Sequence, residues 1–281
     1  MSAVNMLLFF NKFFKCPEHP FNLQNAGEKT YSQWQYEMGQ QTIEFYLKKV
    51  TKKEMFEGKT VLDIGCGAAG KTMYYASCGV AHIYGMDVVD HYKEDAQAFA
   101  REKGMEDRFT FIVGDAHHVP FDDASVDTII MNDAMEHVAD PLQVLRECYR
   151  ILRPNGRLYV NFPPFNHPYG AHLKDVIGIP WVHVFFSDKT MIEAYKQLVA
   201  PLVDGEMRIN FRIGKKEDGS EYFSYLNKIS IRQFHRYLKQ TPFSVYYYSE
   251  KPVRKWVSFL GKVPGVKEFF TSMVVAVLEK N

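Results

Sequence analysis

Apolar positions in this chain fall into two textures. From position 60 onward, short runs without polar alternation recur: TVLDIG (60–65), HIYGMDV (82–88), FTFIVGD (109–115), VDTIIMN (126–132) and GRLYVNF (156–162). Between them lie stretches with helical spacing at 70–78, 92–103 and 141–152, the last ended by the turn residues Pro154, Asn155 and Gly156. A strand covered on both faces needs apolar side chains on both, so these runs fit a parallel sheet. The pattern predicts an α/β, doubly wound fold with five buried strands joined by helices.

Residues 1–58 have the other texture, helical and aromatic, and predict an N-terminal helical cap before a main domain over 59–281. After Phe162, the segment 163–186 is too rich in Pro, Gly and His for one helix and reads as a covering loop. It opens an insertion expected to run to about position 240 and to act as a lid. Helical spacing returns at 189–198 and 230–238, and two apolar strands at 243–249 and 272–280 are placed for an antiparallel return.

Composition narrows the class. With 281 residues, 46% apolar and 24% charged, the chain can bury a sizeable core, which excludes intrinsic disorder. Lys and Arg number 34 against 33 for Asp and Glu, so no global basic field recruits nucleic acid. The charged stretch 215–219 and the basic run Lys251, Arg254 and Lys255 read as solvated surface. Cys16, Cys66, Cys78 and Cys148 form no C-x-x-C pair, which argues against a disulfide framework and a structural zinc site and for a reduced, cytoplasmic protein. The apolar run 6–10 lacks the flanks of a signal peptide, and no stretch approaches the roughly 18 to 20 residues of a membrane span. A short amphipathic helix packed on the domain is expected there instead.

The candidate chemistry starts at VLDIGCGAAG (61–70), a strand running into a glycine turn that opens a helix. Gly65, Gly67 and Gly70 fit the dinucleotide fingerprint, in which glycines allow a tight turn and close backbone approach to a ligand. Asp63, two positions before the first glycine, would repel a pyrophosphate but can engage an amino-acid ammonium, or it can cap the turn. Asp87 closes the second run, 24 positions on, where an acid accepts from both ribose hydroxyls. Asp115 ends the third run and offers an acceptor to an exocyclic adenine amine. The third acid favours a nucleoside that carries an amino acid and no pyrophosphate.

Taken together, VLDIGCGAAG, the GMD ending at Asp87, VGDA at 113–116, FDDASVDTIIMNDAMEHVADP (121–141) and RILRPNGRLYV (150–160) resemble the class I S-adenosylmethionine-dependent methyltransferases, in their small-molecule, type 11-like branch. The resemblance covers roughly residues 55–162. It implies a Rossmann-like, seven-stranded, mostly parallel sheet in the order 3-2-1-4-5-7-6, with the strands at 243–249 and 272–280 as its terminal pair. It also implies S-adenosyl-L-methionine as cofactor, S-adenosyl-L-homocysteine as product, and direct in-line methyl displacement. The implied cofactor-binding residues are Asp63, Gly65, Gly67, Asp87, Val88, Asp115, Ala116 and Asn132. Two positions depart from the family pattern: Ala69 stands where a glycine is usual, and Asn155 replaces the first glycine of the turn after the fourth helix.

If the acceptor is a hydroxyl or an ammonium, a base must take its proton, and histidines are the candidates. His167, His172 and His183 crowd the segment after the fifth strand, where open parallel sheets place ligands, although they can equally hydrogen-bond a loop rich in backbone groups. His137 follows Glu136 in an E-H pair of the kind the family carries and is a further catalytic candidate beside His167 and His172, with packing as its other role. Their spacing matches no metal-ligand pattern, so no metal is expected. Asn132 and Asp133 should line the pocket. His117 and His118 are given no chemistry. Tyr31, Trp34 and Tyr36 offer either core packing of the cap or aromatic faces for a sulfonium.

The expected partner is therefore a small-molecule acceptor, with neither nucleic acid nor a membrane span. Two other readings stay open: a nicotinamide-dependent oxidoreductase on the same sheet, and a cofactor-binding protein without transfer activity. Acceptor identity, the methylated atom and the oligomeric state are not readable in the sequence.

Overall fold

The computed structural model describes residues 2–20, 22, 27, 29–254, 259, 263 and 265–281, so Lys255 lies outside the described residues. The described residues form nine strands: β1 (Thr60–Ile64), β2 (His82–Asp87), β3 (Phe109–Val113), β4 (Val126–Asn132), β5 (Leu152–Phe162), β6 (Ile213–Lys215), β7 (Glu221–Phe223), β8 (Ser244–Pro252) and β9 (Thr271–Glu279). Seven of them form one sheet in the order β3-β2-β1-β4-β5-β9-β8. Counted within the sheet alone, that order runs 3-2-1-4-5-7-6. In chain order it differs because β6 and β7 intervene and pair only with each other. Strands β1 to β5 run parallel, and β9 lies antiparallel to β5 with Tyr159 opposite Val277.

The chain divides into two compact units. The sheet unit comprises Lys29–Phe162, Ile231–Lys251 and Met273–Asn281. Strands β1 and β4 and the stretches 158–162 of β5 and 274–278 of β9 are buried as the unbroken apolar runs require, whereas the edge strand β3 exposes Thr110 and Val113 and β8 has no buried residue. In the helix Pro141–Ile151, Val144, Leu145, Cys148 and Ile151 are buried at helical spacing. Asp140 starts that helix by accepting from the Leu142 and Gln143 N–H groups, and Pro141 occupies the first turn, where its missing N–H costs nothing. Asn155, at φ 63°, takes the left-handed angle of the following turn, and its N–H donates to the Lys280 carbonyl at 2.7 Å.

The second unit comprises Met1–Glu28, Pro163–Ser230 and Pro252–Ser272. Its core gathers Leu7, Leu173, Ile177, Met191, Tyr195 and Phe223 from the helix Ala3–Asn11, the segment after β5, the helix Asp188–Val199 and β7. Buried inside it is an ionic network. Arg208 pairs with Asp175 at 3.1 Å and Asp204 at 2.9 Å, while Arg212 approaches Asp175 at 3.2 Å and donates from Nε to the Tyr195 hydroxyl at 2.8 Å.

These boundaries differ from a cap over 1–58 and an insertion over 163–240. Residues 29–58 pack with the sheet, 1–28 with the second unit, and the helix Ile231–Leu238 returns to the sheet unit, where Phe234 meets Phe162 with ring centroids 5.0 Å apart. Shared aromatic texture says nothing about which core a helix joins. The helix Gly205–Arg212 and the β6–β7 hairpin were not expected, and 215–219 lies at the hairpin's turn. No helix among the described residues is long and apolar enough to cross a membrane.

Candidate functional site

Because β3, β2, β1 and β4 are consecutive neighbours, their carboxyl ends form one continuous rim. Open parallel sheets bind ligands beyond that edge, at the point where the strand order reverses. Here the order turns between β1 and β4. The rim carries Asp63, Asp87, Asp115 and Asn132, with the glycine turn between β1 and the helix Gly70–Ala76.

The turn has strict steric demands. Gly65 has φ 74°, and a Cβ there would stand 2.7 Å from the Ala134 side chain. Gly70 has no room either, since its Cβ would come within 2.0 Å of the Ser32 carbonyl. Ala69 adopts φ 57° although it has a side chain, a conformation costing about 1–2 kcal/mol relative to glycine. The helix Tyr31–Glu44 holds the turn in place: Ser32 donates to the Ala68 carbonyl at 3.1 Å, and Gln35 Oε1 accepts from the Gly70 N–H at 3.2 Å. Tyr31 stands beside Gly67 and stacks with Trp34 at 6.3 Å. Ser32 and Gln35 carried no sequence signal, since a polar residue on a helix ordinarily faces water.

The three acids occupy different environments. Asp63 is 4% exposed and accepts from the Thr72 hydroxyl at 2.6 Å; burial lifts its carboxyl to about 7, and the Thr72 bond only partly offsets this. Asp87 accepts from the Gly67 N–H at 2.8 Å and the Val89 N–H at 3.0 Å, so it ties the end of β2 to the glycine turn. Burial still raises it above the usual carboxylate range, against the pull of those bonds. Each carboxylate oxygen keeps a lone pair for a ligand. Asp115 is exposed; what burial it has works upward, but the His117 N–H and ring hold its carboxyl below the usual value.

His117 therefore has a structural task that its sequence position did not reveal. Its ring Nδ1 meets Asp115, and its Nε2 accepts from the Asp140 N–H at 2.8 Å, linking the end of β3 to the start of the helix Pro141–Ile151. Val88 is 67% exposed beside Asp87, and Ala116 is buried beside Asp115.

Under the end of β4 lies a buried polar cluster. Asn132 Oδ1 accepts from Tyr46 and from Asn161 Nδ2, each at 2.6 Å, and Asn132 Nδ2 donates to the Tyr75 hydroxyl at 3.1 Å. Asn161 was the readable member, a polar residue inside an apolar run; the two tyrosines were not. The chain then turns sharply at Asp133, φ 53°, whose carboxylate pairs with Lys71 at 3.0 Å. Glu136 is 3% exposed, and neither of its oxygens has a hydrogen-bond partner among the described residues. Burial, reinforced by the Asp133 charge, pushes its carboxyl well above the ordinary range. His137 follows on the surface, with Nε2 3.8 Å from Glu136 Oε1.

The sheet unit thus brings together Asp63, Gly65, Gly67, Asp87, Val88, Asp115, Ala116, Asn132 and His137. His167, His172 and His183 belong to the second unit. His167 Nδ1 accepts from the Tyr169 N–H at 3.2 Å, and burial lowers its ring to about 4, so it is neutral and weakly basic near pH 7. Burial does the same to His183, whose ring nitrogens have no hydrogen-bond partner among the described residues. His172 sits at φ 53°, and its carbonyl accepts from the Tyr225 hydroxyl at 3.1 Å.

This donor and acceptor set suits a cationic amino-acid nucleoside. Three acids at the ends of adjacent strands can meet an ammonium, a ribose diol and an exocyclic amine. A pyrophosphate would face the same acids, and Gln35 already takes the first N–H of the helix after the glycines.

Residues 62–160 match the family described as a methyltransferase domain. Over 103 residues the chain is 40% identical to the methyltransferase GfsG of Streptomyces halstedii, covering 37% of each chain. It is 32% identical over 127 residues to the ubiquinone biosynthesis O-methyltransferase of Maricaulis maris, covering 45% of this chain and 48% of that one. The chain thus spans less than half the length of these curated relatives. A solved structure of geranyl diphosphate methyltransferase in complex with SAM superposes with a TM-score of 0.54 at 15% identity, covering 88% of this chain and 85% of the other, a likeness of fold alone.

Proposed function

We propose that this chain, whose residues 62–160 match a methyltransferase-domain family, is a class I S-adenosylmethionine-dependent methyltransferase that moves a methyl group from S-adenosyl-L-methionine to a small organic metabolite. The observation that carries the reading is the set Asp63, Asp87 and Asp115 at the ends of three adjacent strands, around a glycine turn whose helix N-terminus is already occupied by Gln35. When bound, the cofactor supplies an electrophilic sulfonium methyl group, and the protein's part is to bind, orient and take up a proton.

In this reading Asp63 meets the ammonium, Asp87 the ribose hydroxyls and Asp115 the adenine amine, while Val88 and Ala116 give the base an apolar edge. Gly65 and Gly67 let the backbone approach closely. Asn132 has most of its hydrogen-bonding capacity engaged, so its contribution is to fix the end of β4 and offer its remaining amide hydrogen. Well-oriented reactants contribute up to about 7–11 kcal/mol to such a displacement. An acceptor that must lose a proton would give it to His137, His167 or His172. Burial makes His167 a weak base. Unpaired Cys16, Cys66, Cys78 and Cys148 fit a reducing, cytoplasmic setting, and the near-neutral charge fits a metabolite better than a nucleic acid.

Calorimetric titration with S-adenosylmethionine and S-adenosylhomocysteine, with a reduced nicotinamide dinucleotide as control, tests the cofactor. Saturable binding of the sulfur ligands alone is expected; preference for the dinucleotide overturns the reading. On an acceptor panel, His172→Asn should lower turnover and leave cofactor affinity nearly intact. Cofactor binding with no S-adenosylhomocysteine formed on any acceptor would instead favour a binding protein without transfer activity.

A further inference from the structure

The helix Ala3–Asn11 is apolar on two opposite faces, and only one of them is covered. Ser2 starts it by accepting from the Asn5 N–H at 3.2 Å. On the inner face Leu7 is fully buried, Val4 and Leu8 pack against the same core, and Asn11 closes the contact by donating to the Val176 carbonyl at 2.8 Å and accepting from the Gly178 N–H at 2.9 Å. On the outer face Met6, Phe9, Phe10 and Phe13 follow the i, i+3, i+4, i+7 spacing of a second stripe, and they are 40%, 47%, 47% and 70% exposed. Their rings form one cluster, with centroids 5.6 Å apart for Phe9 and Phe10 and 5.4 Å for Phe9 and Phe13.

A helix apolar all round is ordinarily buried all round. A contiguous exposed aromatic cluster of this kind marks an interaction surface. Its chemistry is set by the flanking charges: Lys12 and Lys15 are exposed, neither is ion-paired among the described residues, and no acid occurs between positions 2 and 17. In a two-fold dimer the patch would meet its own copy and bring like charges together. An anionic lipid surface meets both needs, because phenyl rings enter the acyl boundary while lysine stems carry their ammonium groups to the headgroups.

We propose that the outer face of the helix Ala3–Asn11, with Phe13, Lys12 and Lys15, is a docking surface for an anionic lipid bilayer. The protein lies on the membrane and does not span it. This proposal is independent of the methyl-transfer reading, since it rests on no residue of the sheet unit.

The test is flotation of the full chain with phosphatidylcholine vesicles, with and without phosphatidylglycerol. The protein is expected to float with the anionic vesicles and about twenty-five-fold more weakly with the neutral ones, because each of the two lysines near an anionic surface contributes about fivefold. Replacing Phe9, Phe10 and Phe13 together by Ser should lower binding by about a hundredfold. A circular-dichroism spectrum like the parent's verifies that this variant folds. The variant Lys12→Glu/Lys15→Glu, which changes two exposed side chains, should abolish the preference for anionic vesicles. Absence of flotation with anionic vesicles, or equal flotation of the triple variant, overturns the proposal. So does a dimer in vesicle-free solution that the triple variant abolishes, which would assign the face to a second copy.

Discussion

The two units bury charge in opposite ways. In the second unit Asp175 faces the guanidinium groups of Arg208 and Arg212, with Tyr195 donating to it at 2.9 Å, so buried opposite charges compensate one another. In the sheet unit Asp63 is buried against the Thr72 hydroxyl, Glu136 against no hydrogen-bonding partner among the described residues, and both carboxyls are driven upward by burial. A compensated buried charge is a structural element whose removal leaves its partner exposed to a low dielectric. A buried acid without a cation is a cost to the fold, and at the carboxyl end of a parallel strand it stands where a cationic ligand would relieve it.

The comparison breaks most visibly at Arg208. Arg208→Met should destabilise the protein by about 3–5 kcal/mol, because it strips both Asp175 and Asp204 of a buried cationic partner. Urea unfolding measures this; a loss under about 1 kcal/mol would mean that the network is not structural.

Asp63 tests the opposite case through pH. Its carboxyl is raised in the folded state from an ordinary 3.8 to about 7, so folding favours its protonated form. The associated stability is present below the unfolded value and is lost as pH rises towards about 7, a loss of about 4 kcal/mol. Asp63→Asn should therefore gain on the parent steadily between about pH 4 and pH 7 and hold level above that. Parallel stability curves would show that Asp63 is ionised throughout.

A smaller effect is expected at Asp87, which separates ligand binding from folding. Asp87→Ala should weaken S-adenosylmethionine binding by about a hundredfold, the loss of charge-assisted hydrogen bonds at about 1.5–3 kcal/mol each, read by calorimetry. Unchanged affinity would remove Asp87 from the site. The smallest change is expected for His117→Ala, which frees the exposed Asp115. Stability should move by no more than about 1 kcal/mol, and cofactor affinity should fall severalfold. A loss as large as that of Asp87→Ala would make His117 a direct ligand contact and not a positioning residue.

Local pattern served well where structure is local. The run VDTIIMN coincides with β4, and the expected strands at 243–249 and 272–280 appear as Ser244–Pro252 and Thr271–Glu279. The rim acids were readable because Asp87 and Asp115 each close an apolar run and Asp63 is an acid inside one, next to the glycine turn. Hidden were the residues that hold the rim from elsewhere, such as Ser32 and Gln35 on the glycine turn and Tyr46 on Asn132, 86 positions away. The second unit was the least readable part, because it is assembled from three separated segments.

The sequence by itself determined the alternation of strands and helices, the positions of Asp63, Asp87 and Asp115, and the glycine turn, since each depends on side-chain character at short spacing. Only the tertiary structure decided which core the first 58 residues would join, how Arg208 and Arg212 are compensated, and that one face of the helix Ala3–Asn11 stays exposed. Periodicity records that a face is apolar. Whether anything packs against that face depends on residues far along the chain, such as Val176 and Gly178 against Asn11, which no local pattern brings together.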